Sequence, residues 1–478
     1  MAARTTNSNP IDIGSRLELF VDRYLIDTMD PRLSLELHPP TPREIVMVHD
    51  APWEGSGTGY FDVFRDGDTI RMYYIGYGLT NEDGTVMSTR PVCACYMEST
   101  DGIHWTKPDL GLIDFAGTTH NNVVWIRESA DNFVVFKDTN PNCRPGEEYK
   151  ATASGPGGLW AYKSSDGLRW SPLQDAPIIT KGAFDSQNLA FWDPLRGHYW
   201  CYFRDFHDGL RDIRVATSAD FLTWSEPEML AYEDSPDEQL YTNQIMPYPR
   251  APHIFVGFPT RYVERAWSDS FLPLPDLQHR QNRMKIAPRY GTAITDGLFM
   301  SSRDGRTFRR WGEAFIRPGP ERKDNWLYGD GYQCLGMIET PAEDPTAPPE
   351  LSVYCGENSW KTPVRLRRYT LRVDGFVSVN APLAGGEMAT KPLTFTGKEL
   401  VLNMATSAAG SIRVEVQGAD GKAVEGFSLA DCDEVFGDSL ERVVTWKGRS
   451  DLSALAGRPI RLRFALSDAD LYALRFRE

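Results

Sequence analysis

The sequence has no apolar run long enough to cross a bilayer, which takes about 20 consecutive apolar residues. Its opening, MAARTTNSNP, has none of the apolar core that marks a secretory signal. A membrane-embedded role is therefore not expected. The compartment stays open, since a periplasmic or secreted location would need only a signal removed ahead of this chain. Positive charge is also in short supply, with 51 Lys and Arg against 66 Asp and Glu and a formal net charge of -15. A broad phosphate-binding surface needs the opposite balance, so nucleic acid is not expected as a partner. Heptad patterning is missing, which argues against a long-helix architecture. The seven cysteines are an odd number without metal-site spacing. Cys93 and Cys95 fall on one face of a strand, where buried free thiols are the expectation. No contiguous acidic loop of the EF-hand kind is present, so no cofactor is expected to be required, although a structural calcium ion in a channel stays compatible with the sequence.

What is abundant points the other way. Forty Gly, 33 Pro and 12% aromatic residues suit many short strands joined by tight turns. The length exceeds that of a usual single core and favours one large closed architecture with a smaller domain. ESTDGIHW from Glu98 returns as KSSDGLRW from Lys163, as TSADFLTW from Thr217 and as SSRDGRTF from Ser301. Spacing of this kind marks repeated supersecondary units.

Two or three apolar strands precede each copy, and the units align as strand, Asp-containing turn, strand, turn, strand. Asp66, Asp138 and Asp193 fall at the same turn and are assigned to turn chemistry. A fourth unit starts at LYTNQIMPYP and a fifth at GYQCLGMIET. The prediction is an all-β chain: a five-bladed β-propeller over residues 1–384, the candidate catalytic domain, followed by a C-terminal β-sandwich over 385–478 that braces it or binds carbohydrate. LELFVDRYLI and LSLELH are expected to supply a closing strand to the last blade, and Asp420-Gly421 a hairpin turn in the sandwich. The repeated Ser-x-Asp elements sit between third and fourth strands, where Ser and Asp bond turn amides and the ring packs between blades.

In a propeller the starts of the first strands converge on the channel mouth, and so do the ends of the second strands. This brings together Asp131-Asn132, Asp185 to Asn188, Glu238 to Asn243 and Tyr328 to Tyr332 with Arg204-Asp205, Thr260-Arg261, Glu357-Asn358 and Trp360. Carboxylates, arginines, amides and rings on one face suit a sugar. Asp185, Asp330 and Glu357 are the candidate catalytic carboxylates. Glu357 is the expected acid because Tyr354 and Trp360 flank it, Asp185 the nucleophile or water activator, and Asp330 a modulator. Gln187, Arg204, Asp205, Asn243, Arg261, Tyr332 and Trp360 are the candidate substrate binders, and Asp62 is a further acid with a strong turn-residue alternative.

This layout resembles the five-bladed propeller glycoside hydrolases of families 32, 43, 62, 68, 117 and 130, and in particular bacterial family-32-like proteins with an appended β-sandwich. The resemblance spans nearly the whole chain in layout. It implies a catalytic acid at the start of a first strand, which the stretch FDSQNLAFWDP places at Asp185. The family-32 sequence Trp-Met-Asn-Asp-Pro-Asn-Gly is absent, and Gly57-Thr58-Gly59-Tyr60 stands in its place. The Arg-Asp-Pro signature is echoed only by Phe203-Arg204-Asp205-Phe206, at a second-strand end.

The expected function is that of an exo-acting glycosidase on a furanoside or a modified pyranoside, with a carbohydrate as partner. Arg280, Arg283, Lys285 and Arg289 lie on an acid-free insertion in blade four, which suits either a cap selecting an anionic sugar or a contact in a homo-oligomer. A phosphorylase and a non-catalytic glycan-binding propeller are the alternatives.

Overall fold

Strand-rich sequence with turn residues at short intervals folds here into successive antiparallel sheets. The computed structural model describes residues 9–126, 130–233, 235–323 and 325–478; the first eight, part of the stretch expected to lack a signal core, lie outside the described residues. Blade one contains Gly59–Asp66, Thr69–Gly76, Cys93–Ser99 and Val123–Trp125. Blade two contains Val134–Lys137, Tyr149–Gly155, Gly158–Ser164 and Ser171–Pro172, and blade three Leu189–Asp193, His198–His207, Leu210–Ser218 and Glu228–Met229. Blade four joins Met246–Tyr248, Ala251–Gly257, Met300–Ser302 and Thr307–Arg310, with Ala231–Glu233 added in parallel. Blade five runs Ile338–Thr340, Glu350–Glu357, Val364–Arg372 and then Thr41–His49. This is the five-bladed propeller that the repeats predict. Its apolar layers lie between successive blades: Phe61 and Met72 of blade one share a buried cluster with Ile338, Tyr354 and Leu366 of blade five.

The closing strand corrects the sequence reading. Thr41–His49, with register Val364↔His49 to Thr370↔Thr41, completes blade five. The earlier LSLELH segment pairs through Ser34–Leu37 with Val377–Ala381 instead, and LELFVDRYLI contributes Glu18–Leu19, paired with the last strand of the chain. Pro39-Pro40 separates the two assignments: a proline pair has no N–H to donate to a ladder, so one strand stops before it and another starts after it. The chain accordingly divides near residue 371/372 instead of 384, and the segment ending at His38 groups with Arg372–Glu478 and the short Pro249–Ala251.

The repeated motif does the work expected of it and something further. Ser99 Oγ accepts from Gly102 N at 2.9 Å, and Asp101 Oδ1 accepts from Ile103 and His104 N–H, both at 2.8 Å. Ser164/Asp166, Ser218/Asp220 and Ser302/Asp304 repeat this geometry. The glycine carbonyl in the turn then takes a hydroxyl from the preceding blade: Tyr354 donates to Gly102 O at 2.7 Å, Tyr73 to Gly167 O at 2.9 Å and Tyr202 to Gly305 O at 2.8 Å. The third copy has Phe221 in place of glycine. Tyr354→Phe is expected to cost about 1 kcal/mol in urea unfolding, because Gly102 O loses one of its two donors and keeps only Trp105 Nε1 at 3.0 Å; an unchanged midpoint would show that the clamp contributes nothing.

The turn acids also reach across blades. Asp66 pairs with Arg71 of its own blade and with Lys137 of blade two, and Asp138 accepts from Tyr199 of blade three at 2.7 Å. Asp193 holds Arg196, whose Nη2 reaches Arg303 O at 2.8 Å in blade four. Cys93 and Cys95 are free and buried, with their sulfurs 3.7 Å apart.

The second unit is one continuously paired ten-stranded sheet. Its two long strands, Glu399–Gly418 and Ile460–Arg477, pair over both halves, with register shifts between Asn403 and Met404 and between Thr406 and Ser411. Leu400, Leu402, Val414, Trp446, Phe464 and Phe476, from both sides of these shifts, enter one buried cluster, so the sheet folds over its own core. The hairpin turn at Asp420-Gly421 is present, with Gly421 at φ 78°.

Candidate active site

The starts of the inner strands carry unusual backbone. Tyr60 at blade one, Asn132 at blade two and Phe184 at blade three have φ of 51°, 58° and 54°, and Trp360, which follows the second strand of blade five, has 71°. Bulky residues avoid this left-handed region, and each such residue costs on the order of 1–3 kcal/mol. The strain gathers around one cavity of about 250 Å³. Asp131, Asp185 and the Gly57–Phe61 segment border it from the starts of blades two, three and one. Tyr77, Tyr241, Tyr328, Tyr332 and Trp360 add rings to the lining, and Leu79, Met87, Arg289 and Tyr290 come from longer connections.

Asp185 is the predicted acid that the structure places in the cavity. Its side chain is 63% exposed and ion-paired to Arg204, which is itself only 3% exposed. Arg204 lies with its guanidinium carbon 4.5 Å from the Tyr241 ring centroid, so one element holds both a cavity acid and a cavity ring. Asp131, noted at a strand start but not chosen as catalytic, is the second carboxylate. Burial pushes its pKa up, and the nearby charge of Asp185 adds to the effect.

The other predicted residues are distributed more widely. Tyr332 lines the cavity, its ring 6.2 Å from Tyr60 and 5.4 Å from Tyr241. Trp360 lines it too, with Tyr290 at 4.8 Å. Gln187 and Asn243 lie in the channel wall: Gln187 Nε2 donates to Tyr60 O at 3.2 Å, and Asn243 Nδ2 to Gln187 O at 3.1 Å. Asp205 points across the pleat from Arg204 and pairs with Arg214. Arg261 is bound to Asp296 at 2.6 and 2.9 Å and to Glu238 at 3.1 Å, and it borders a different groove on the ribbon Thr260–Glu264/Ala293–Gly297.

Asp330 and Glu357 sit behind the cavity wall. Asp330 is 6% exposed and accepts from Leu327 N at 2.8 Å. Burial raises its pKa to about 7, against that backbone bond and with help from the charge of Glu357. Glu357 is clamped by Arg322 at 2.8 Å and by Arg367 at 2.7 and 3.2 Å, while the neighbouring Gly356 and Ser359 face the cavity. The flanking Tyr354, invoked for Glu357, instead serves the inter-blade clamp to Gly102. Asp62 is 1% exposed, and its Oδ2 accepts from Val135 N at 2.5 Å, which ties blade one to blade two.

Among the described residues no group of three or more His, Cys, Asp or Glu is arranged to hold a metal ion, and no helix is long and apolar enough to cross a membrane.

No family model matches the chain, and no curated protein matches it. Among solved structures it is similar to an N-acetylgalactosamine deacetylase from F. plautii in complex with blood group B trisaccharide, at 12% identity and TM-score 0.42 over 70% of this chain and 96% of that one. The catalytic domain of a Coprinopsis cinerea GH62 alpha-L-arabinofuranosidase matches at 9% identity and TM-score 0.42, over 70% and 97%. A Bombyx mori GH32 beta-fructofuranosidase matches at 11% identity and TM-score 0.38, over 94% and 95%.

Proposed function

We propose that this cavity is the active site of a glycoside hydrolase acting from a chain end on a furanoside or a modified pyranoside. The observation that supports it is the meeting of Asp131 and Asp185, from the starts of successive inner strands, in one ring-lined cavity. Asp131, with its raised pKa, is assigned the general acid. Asp185, held by Arg204, is assigned the nucleophile or the base that activates water. Attack at the anomeric carbon breaks the glycosidic C–O bond while Asp131 gives its proton to the leaving oxygen, through an oxocarbenium-like transition state. Tyr332, Tyr241 and Trp360 offer faces to the apolar side of a sugar ring. Asp330 and Glu357 act as positioning residues for the loops that carry Tyr328, Gly329 and Trp360. Connections from blades one and four wall the cavity through Met87 and Tyr290, which favours exo action.

The test is release of sugar from aryl glycosides and from plant, algal and bacterial polysaccharides. Asp131→Asn is expected to lower kcat by about 10²–10⁴-fold on substrates with poor leaving groups and much less on activated aryl glycosides, which need little protonation. The acid works only when protonated, so wild-type activity falls as pH rises through the raised pKa of Asp131. That alkaline limb should vanish in the variant. Equal losses on both substrate classes, with the limb intact, would remove Asp131 from the acid role.

A further inference from the structure

The blade-four insertion folds into the helices Leu277–Ile286 and Arg289–Thr292, and the second of these brings Arg289 to the cavity. Among the described residues Arg289 has no carboxylate partner. Nη2 reaches Tyr290 Oη only at a long 3.4 Å, the hydroxyls of Tyr262 and Tyr328 also face the guanidinium, and Nη1 is buried without an acceptor. Its neighbours are rings: Tyr290 at 4.6 Å and Tyr328 at 6.0 Å from the guanidinium carbon. Phenols supply oxygen but no formal charge, so this cation is uncompensated.

Its surroundings add positive charge to the same wall. Arg283 is 0% exposed, stacks 5.2 Å from the Trp360 ring, and has Nε, Nη1 and Nη2 all buried without acceptors. Arg280, also 0% exposed, is satisfied only by the neutral carbonyls of Gly291 at 2.8 Å and Trp326 at 2.7 Å. The cavity carboxylates do not balance these groups, because Asp185 is already matched by Arg204 and burial drives Asp131 toward its neutral form; Asp276 and Asp330 lend charge to Arg280 and Arg283, but Asp276 is shared with Lys361 at 3.0 Å and burial pushes Asp330 up to about 7.

We propose that Arg289 is the centre of an oxyanion site in the cavity, taking a carboxylate, sulfate or phosphate group that is either carried by the sugar or supplied as free phosphate. This rests on the cavity being the substrate site. A planar guanidinium faced by neutral phenols, with Nη1 lacking an acceptor and no acid opposite it, is an arrangement that binds such oxyanions.

Inorganic phosphate, methyl glucuronide and methyl glucoside are titrated against the full chain by tryptophan fluorescence and calorimetry, in wild type, Arg289→Met and Arg289→Lys. Wild type should bind phosphate or the glucuronide at least about 10-fold tighter than the neutral glucoside. Arg289→Met should lose that preference, and Arg289→Lys should keep part of it. Tight glucuronide with weak phosphate assigns the anion to the sugar, and the reverse assigns it to free phosphate. Equal affinity for charged and neutral sugars with no phosphate response overturns the site, and that result is read on wild type even if Arg289→Met fails to fold. Anion binding unchanged in an Arg289→Met protein that melts at the wild-type temperature overturns it too. Arginine-dependent anion binding without sugar release from any substrate keeps the oxyanion site and removes the hydrolase reading. Sugar release from neutral glycosides, indifferent to Arg289→Met, does the opposite.

Discussion

Asp185→Asn is expected to lower kcat by about 10³-fold or more while leaving KM within a few-fold of wild type and the melting temperature unchanged. Asparagine keeps an oxygen for Arg204 and nearly the same shape, so the buried guanidinium is not stranded. The negative charge and the nucleophilic lone pair are lost. Because the Asp185 side chain is 63% exposed, its structural contribution is limited to that one ion pair, and a large rate loss in a protein of normal stability reports chemistry. Asp185→Ala with added azide separates the two roles left to this residue. Recovery of turnover as a glycosyl azide identifies the nucleophile, whereas recovery of ordinary hydrolysis by a small carboxylate identifies the base. Full activity in Asp185→Asn would move the chemistry to another acid and leave Arg204–Asp185 a structural pair.

The repeats made the propeller legible, because each Ser-x-Asp turn is a local device whose hydrogen bonds close within a few residues. The closing strand was not legible in the same way. Ser34–Leu37 and Thr41–His49 both have the apolar and polar content of a strand, and the partner that each takes depends on pairing with segments more than 300 residues away. The candidate site residues divide along the same line. Asp185 and Tyr332 border the cavity, in keeping with an alignment of first strands that locates its mouth from chain order alone. Glu357 has the composition expected of a catalytic acid, but two arginines from other segments, Arg322 and Arg367, occupy it. The same first-strand rule, applied to blade two, selects Asp131. Arg289 stood out only as one of several basic residues on an acid-free insertion, and nothing in the sequence says which of them reaches the cavity and which are buried behind Trp360.

Glu54 carried no sequence signal at all, yet its replacement is expected to have the largest effect on stability. Its side chain is fully buried, and Oε1 accepts from Tyr74 Oη at 2.7 Å and bonds His49 Nδ1 at 2.9 Å. Oε2 accepts from Ala51 N at 2.9 Å and from Lys107 Nζ at 2.8 Å. These partners bring together the end of the closing strand, the second strand of blade one and the segment just after the first repeated turn. Burial alone would raise the pKa of Glu54, but the hydrogen bonds and charges of His49 and Lys107 outweigh it and hold the carboxyl at about 2. Burial pushes the pKa of His49 down, against the pull of the Glu54 hydrogen bond and charge. Glu54→Ala removes one member of a buried pair and leaves Lys107, His49 and Tyr74 without their shared acceptor, at an expected cost of roughly 3–5 kcal/mol in urea unfolding. The pH dependence has a defined sign. A carboxyl held near 2 when folded and at its ordinary value of 4.5 when unfolded contributes about 3 kcal/mol that is fully present above pH 4.5 and is lost as pH falls toward 2. Wild type should therefore lose stability across that window more steeply than Glu54→Gln, which has no proton to take up there. Parallel acid unfolding of the two proteins would show that the carboxyl is not held ionised by the blade-one contacts, and the closure of the propeller would then rest on the strand pairing alone.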